Sequence, residues 1–197
     1  MARRLVLLAA LLLSLAAAAS SSPAKYKATA ASSELIHRSC RETQYPSVCE
    51  QSLSTYKSSP PPRSPQELAR AALSVSVDRA RDASAYVGRV CGGGPKARAG
   101  PVRDCLENMA DSVDHLRSAA QEMGGAMGRK GSPAFKWHLS NVQTWCSAAL
   151  TDENTCLDGL SRGVDASTRA AIRGKVVEVA QVTSNALALV NRVGPGH

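Results

Sequence analysis

Aromatic residues make up only 4% of the 197 residues, and Phe135 is the one phenylalanine. With so few rings and no recognition motif, the basic composition does not read as a nucleic-acid-binding surface. No segment alternates apolar and polar residues over strand length, and Val, Ile and aromatics do not gather into β runs, so sheet is not expected. None of the six cysteines lies two to four residues from another and the four histidines are scattered, which argues against a metal site. The sequence has no GxSxG, no HExxH and no Gly-rich phosphate loop. His115 and His138 have no nucleophile paired with them in sequence. Neither an enzyme nor a cofactor-binding protein is therefore expected. No Asn-x-Ser/Thr sequon occurs; Asn154-Thr155-Cys156 is only a weak variant of one.

One long apolar run is present, Leu5–Leu15, after Arg3 and Arg4 and before small residues at Ala17–Ala19. That pattern is a secretory signal. It is shorter than the ~20 residues that span a bilayer. Cleavage is expected after about residue 19, at the latest about 22, leaving a secreted chain with no membrane segment; a signal anchor is the alternative. Loss of the two arginines lowers the formal charge from +8 to +6. A basic secreted protein is attracted to polyanions, which outside a cell means acidic polysaccharides. All six cysteines follow the leader, so disulfides are expected.

Residues 20–32 are mostly Ser, Ala, Lys and Thr with little to bury and read as flexible. Residues 33–57 read as a helical hairpin: Leu35, Ile36 and Cys40 on a first short helix, a break at Tyr45-Pro46, then Cys49, Leu53 and Tyr56 on a second. The stretch Ser58–Arg63, SSPPPR, is a stiff linker. Residues 64–194 carry four long amphipathic patterns. Ser64-Pro65-Gln66-Glu67 has the form of a capping box with Pro in the first turn, and its helix runs to a stop at Gly92-Gly93-Gly94-Pro95. Pro101 opens the second, striped by Val102, Leu106, Met109, Val113, Leu116, Ala120 and Met123; GGAMGRKGS links it to the third at Pro133. The third has the densest pattern: Leu139, Val142, Cys146, Ala149, Glu153, Cys156 and Leu160 recur at alternating steps of three and four, and only Glu153 breaks the apolar row. The fourth carries Ile172, Val176, Val179, Thr183, Ala186, Val190 and Val193 before Gly194-Pro195-Gly196. Short connections between four such helices predict an all-α, up-and-down four-helix bundle behind an N-terminal helical hairpin.

Cys40 and Cys49 flank the hairpin break and can close it. Cys105 begins the second long helix and Cys156 lies late in the third, so antiparallel packing brings them together. Cys146 is ten residues before Cys156, about 15 Å along a helix axis, beyond disulfide reach of that end. It reads as a small buried hydrophobe. Cys91 is left either free or, if its helix end dips inward, bridged to Cys146.

These residues form a pattern. Cys40-x-x-Thr43-x-Tyr45-Pro46-x-x-Cys49, then Asp104-Cys105-Leu106-Glu107 with Asp111-Ser112-Val113-Asp114, then Thr144-Trp145-Cys146-Ser147-Ala148-Ala149-Leu150-Thr151 with Thr155-Cys156-Leu157-Asp158-Gly159, resemble the plant invertase and pectin methylesterase inhibitor family over residues 33–194. The resemblance implies a stapled hairpin and bundle with bridges Cys40–Cys49 and Cys105–Cys156. It implies a protein that is not an enzyme and that covers the substrate cleft of a cell-wall enzyme. The target it implies first is pectin methylesterase, because the run SAALT-x-x-x-TC is similar to that branch. Acid invertase is the alternative; invertase inhibitors tend to carry Pro-Lys-Phe where this chain has Pro133-Ala134-Phe135. Secretion would place it in the apoplast, with weak electrostatic attraction to pectin. The chain ends at His197, which leaves no room for an esterase domain and reads as a free-standing inhibitor. Glu107, Asp111 and Asp114 share one edge of the second long helix, flanking its apolar stripe, and Thr151, Thr155 and Asp158 share one edge of the third. The resemblance implies that these six face the partner. Carboxylates in such a role make binding weaken as the medium turns acidic.

Overall fold

The computed structural model describes residues 23–56, 60–92, 100–161 and 163–194. Among the described residues it consists of six helices and no strand: α1 Pro23–Cys40, α2 Pro46–Thr55, α3 Pro65–Cys91, α4 Pro101–Gly124, α5 Pro133–Gly159 and α6 Ala166–Asn191. The expected leader, the start of the Pro-rich linker, Gly93–Pro95 and Pro195-Gly196 lie outside the described residues. Every helix but the last opens on proline, whose fixed φ suits a first turn where its missing N–H is not needed.

The four long helices form a ring in which α3 packs on α4 and α6, and α5 packs on α4 and α6. This is the up-and-down bundle. Two core clusters follow one another along it. At the hairpin end, Leu35, Ile36 and Leu53 meet Leu68, Leu73, Met123, Phe135, Val142 and Leu189. Further along, Val87, Met109, Leu116, Ile172, Val176 and Leu160 surround Cys105 and Cys156. Cys40 is bonded to Cys49 and Cys105 to Cys156, with Cα separations of 5.5 and 4.2 Å. Cys91 and Cys146 are both buried and free, and they sit in different core clusters.

Three local readings differ from expectation. The first helix begins at Pro23, not Ser33, so helix covers most of the segment read as flexible. At Ser64 the side chain accepts from the Glu67 N–H at 3.2 Å, as a capping box requires, but Glu67 Oε2 accepts from Arg63 N (2.7 Å) instead of from the cap residue. On α4 the most buried positions include Cys105, Ser112 and Ala119, whereas Leu106 and Ala120 lie at the edge of the core.

The hairpin is held to α6 by polar contacts. Asn185 accepts from the Tyr45 N–H (3.0 Å) and donates to the Tyr45 carbonyl (2.9 Å), so its amide satisfies both backbone groups at the turn. Arg192 donates to the Ser39 carbonyl and pairs with Glu42. None of the helices is long and apolar enough, within the described residues, to cross a membrane.

Candidate functional site

The α4–α5 seam is the most elaborately fastened contact of the bundle. The Cys105–Cys156 bridge closes one end. One step inward, Glu153 is completely buried, and Ser112 of α4 and Thr183 of α6 both donate to its Oε1 (2.8 and 3.0 Å). Its Oε2 has no hydrogen-bond partner. Burial pushes the carboxyl up to about 8, against the opposing pull of the two hydroxyls. The residue that broke the apolar stripe is thus a polar tie between three helices. Burial, helped by the charge of Glu153, pushes the Cys146 thiol up to about 12, which leaves it a weak nucleophile.

Farther along, His115 and Asp152 meet across the seam at 2.8 Å, and the Trp145 ring stacks on His115 with 5.5 Å between centroids. Beyond them Glu122 accepts from Asn141 (3.0 Å) and lies 2.7 Å from His138 Nδ1. The Asn141 amide first, and His138 second, hold the Glu122 carboxyl below its ordinary range. Neither histidine showed a partner in the sequence. Each finds a carboxylate only because α4 and α5 are antiparallel neighbours.

Glu107, Asp111 and Asp114 are exposed, and so are Thr151, Thr155 and Asp158. The three acids lie on the outward side of α4, away from the buried row Met109, Val113 and Leu116, rather than beside the apolar stripe. Two of them are engaged within their own helix: Arg103 pairs with Glu107 (3.0 Å) and Arg117 with Asp114 (2.9 Å). Those partners were readable from the spacings i,i+4 and i,i+3. Among the described residues Asp111 and Asp158 have no ion-pair partner. Thr151 donates its hydroxyl to the Ser147 carbonyl (3.0 Å) and Thr155 to the Thr151 carbonyl (2.7 Å), so both present oxygen acceptors outward. The resulting surface has free carboxylates and hydroxyl acceptors at the stapled end of two rigid helices, and exposed Trp145 at its inner margin. It has the chemistry to receive donors and cations from a partner. It does not bring together a nucleophile, a base and an oxyanion site.

A family model described as plant invertase/pectin methylesterase inhibitor matches residues 34–189. The chain belongs to this family. As a family member it is 45% identical over 165 residues to pectinesterase inhibitor 9 of Arabidopsis thaliana, covering 82% of this chain and 81% of that one. It is 44% identical over 173 residues to a 21 kDa protein of Daucus carota, covering 86% and 89%. A crystal structure of a mutant form of a pectin methylesterase inhibitor from Arabidopsis matches its fold with a TM-score of 0.59 at 22% identity, covering 77% of this chain and 92% of that one. The family is one of inhibitors, and its bundle is the fold found here.

Proposed function

We propose that this chain is a secreted inhibitor of plant pectin methylesterase. It acts without catalysing a reaction, by laying the stapled end of α4 and α5 over the enzyme's substrate cleft. The observation that carries this reading is the 45% identity, over four-fifths of both chains, to a protein named pectinesterase inhibitor 9. The absence of Lys between Pro133 and Phe135 favours the esterase over acid invertase as target.

The mechanism is occlusion. A rigid two-helix surface with its backbone hydrogen bonds satisfied loses little entropy when it docks. Asp111 and Asp158 supply uncommitted carboxylates for the partner's donors, and Thr151 and Thr155 supply acceptors. Glu107 and Asp114 must release Arg103 and Arg117 to take part, which discounts their contribution. By holding the ester-cleaving enzyme off pectin, the protein would regulate demethylesterification in the cell wall.

The test is a side-by-side titration of purified protein against a plant pectin methylesterase and an acid invertase. Stoichiometric loss of demethylesterification with sucrose hydrolysis untouched is expected. Inhibition of invertase alone would transfer the reading to the other branch of the family.

A further inference from the structure

The other end of the same helix pair carries a feature that occlusion at the stapled end does not use. Trp137 is 62% exposed, the larger of the two exposures among the described large apolar side chains. An indole left in water is a standing invitation to a flat ligand face. Arg129 and Lys130 in the preceding connection and Lys136 on the same helix are all exposed, and none of the three takes part in an ion pair among the described residues. The nearest seam acid, Glu122, is already committed to Asn141 and His138.

The connection that carries these cations has a defined shape. Met127 is buried, and the Gln66 amide reaches its sulfur at 3.6 Å. Gly128 and Gly131 adopt left-handed φ of 78° and 86° and bracket Arg129-Lys130. Ser132 caps α5 by accepting from the Phe135 N–H, and buried Phe135 plugs the core beneath. A Cβ on Gly128 would fall 3.7 Å from the Ala134 Cβ, so this loop lies against the first turn of α5. Ala134 and Trp137 are three residues apart and share a helix edge. The two loop cations therefore emerge about one turn from the indole, and Lys136 stands on the same helical turn, about 100° round the axis.

We infer that Trp137, Arg129, Lys130 and Lys136 form a docking platform for an acidic polysaccharide, a chain of uronic-acid residues. A pyranose presents an apolar C–H face that stacks on an indole, while its carboxylates fall among the cations. The net positive charge of the chain adds long-range attraction to the same class of polymer. The platform lies about 30 Å along α5 from Asp158, so a polysaccharide held there leaves the stapled end open to an enzyme. The protein would thereby be retained on the de-esterified polymer that its target produces.

The experiment measures affinity of the full secreted chain for de-esterified polygalacturonate, for the fully methyl-esterified polymer and for a neutral glucan, across a salt series. Wild type should bind the de-esterified polymer at least tenfold more tightly than either of the others. Trp137→Ala should weaken it about tenfold, and Trp137→Tyr should restore most of the loss. The combined Arg129→Gln, Lys130→Gln and Lys136→Gln variant should weaken it further and flatten its salt dependence. All three variants should melt like wild type and inhibit the methylesterase as wild type does, which separates failure of the platform from failure of the inhibitor reading. The inference is overturned if Trp137→Ala binds like wild type, since the attraction is then diffuse charge alone. Equal binding of the neutral glucan, or an unchanged triple variant, overturns it as well.

Discussion

At one end of the α4–α5 pair Cys105 and Cys156 are joined covalently, and the outer surface carries carboxylates and hydroxyls; about 30 Å along α5, Phe135 and Met127 close the core without a bond, and the outer surface carries Trp137 and cations. The covalent tie sits beside a buried carboxyl that an apolar core would not choose. The apolar plug sits where packing alone suffices. Burying Glu153 with one oxygen unsatisfied is unfavourable, and a cross-link nearby offsets it by restricting the unfolded chain. The same contrast appears on the surface, where one end suits a partner rich in donors and the other suits a polyanion.

The largest effect should follow from Cys105→Ser with Cys156→Ser. A bridge closing a 51-residue separation contributes ~4 kcal/mol in the entropic model, to be read from denaturant midpoints. Phe135→Ala at the opposite end should cost about 3 kcal/mol through the cavity it leaves, with the bridge intact. If the two losses were reversed in size, the stapled end would not be the one that depends on its cross-link.

Next comes pH. Unfolded, Glu153 releases its proton near the ordinary glutamate value of 4.5; folded, it keeps it to about 8. The cost of burying it is smallest below 4.5 and grows as pH rises from there to about 8, the window in which folding must take up a proton. Between pH 4.5 and 6 that amounts to about 2 kcal/mol. Glu153→Gln should remove this part of the slope in a stability-against-pH series. A variant slope identical to wild type would mean the carboxyl ionises freely in the fold.

Smaller again, Asp111→Ala should weaken methylesterase inhibition about tenfold, roughly 1.4 kcal/mol, while Glu107→Ala and Asp114→Ala should each cost less, because Arg103 and Arg117 hold those acids. Last, Trp137→Ala should change thermal stability by less than about 0.5 kcal/mol, because its ring is mostly in water.

The long helices were legible because burial imposes a period: the six α5 positions from Leu139 to Cys156, Glu153 among them, and the cap residue Leu160 are all buried. The start of α1 was not legible, because Pro23–Ser32 is polar and small and offers no apolar row from which to read a helix. Leu106 and Ala120 were placed too deep on α4, and Ser112 was passed over, since a seryl side chain gives no sign that it will bond a buried carboxyl on another helix. Exposure of all six proposed contact residues was readable from period alone; the arginines that engage two of them were also in the sequence, at helical spacing. The pairs His115–Asp152 and Glu122–His138 depend on how two helices lie against each other, which no single-helix pattern contains.

The stapled end of α4 and α5, and not the loop end, is the proposed inhibitory surface. Its most direct test is equilibrium inhibition of one pectin methylesterase by wild type, Asp111→Lys and Trp137→Ala, all shown to melt alike. Inhibition should be weakened at least tenfold by Asp111→Lys and unchanged by Trp137→Ala. Full inhibition by Asp111→Lys together with loss by Trp137→Ala would contradict it.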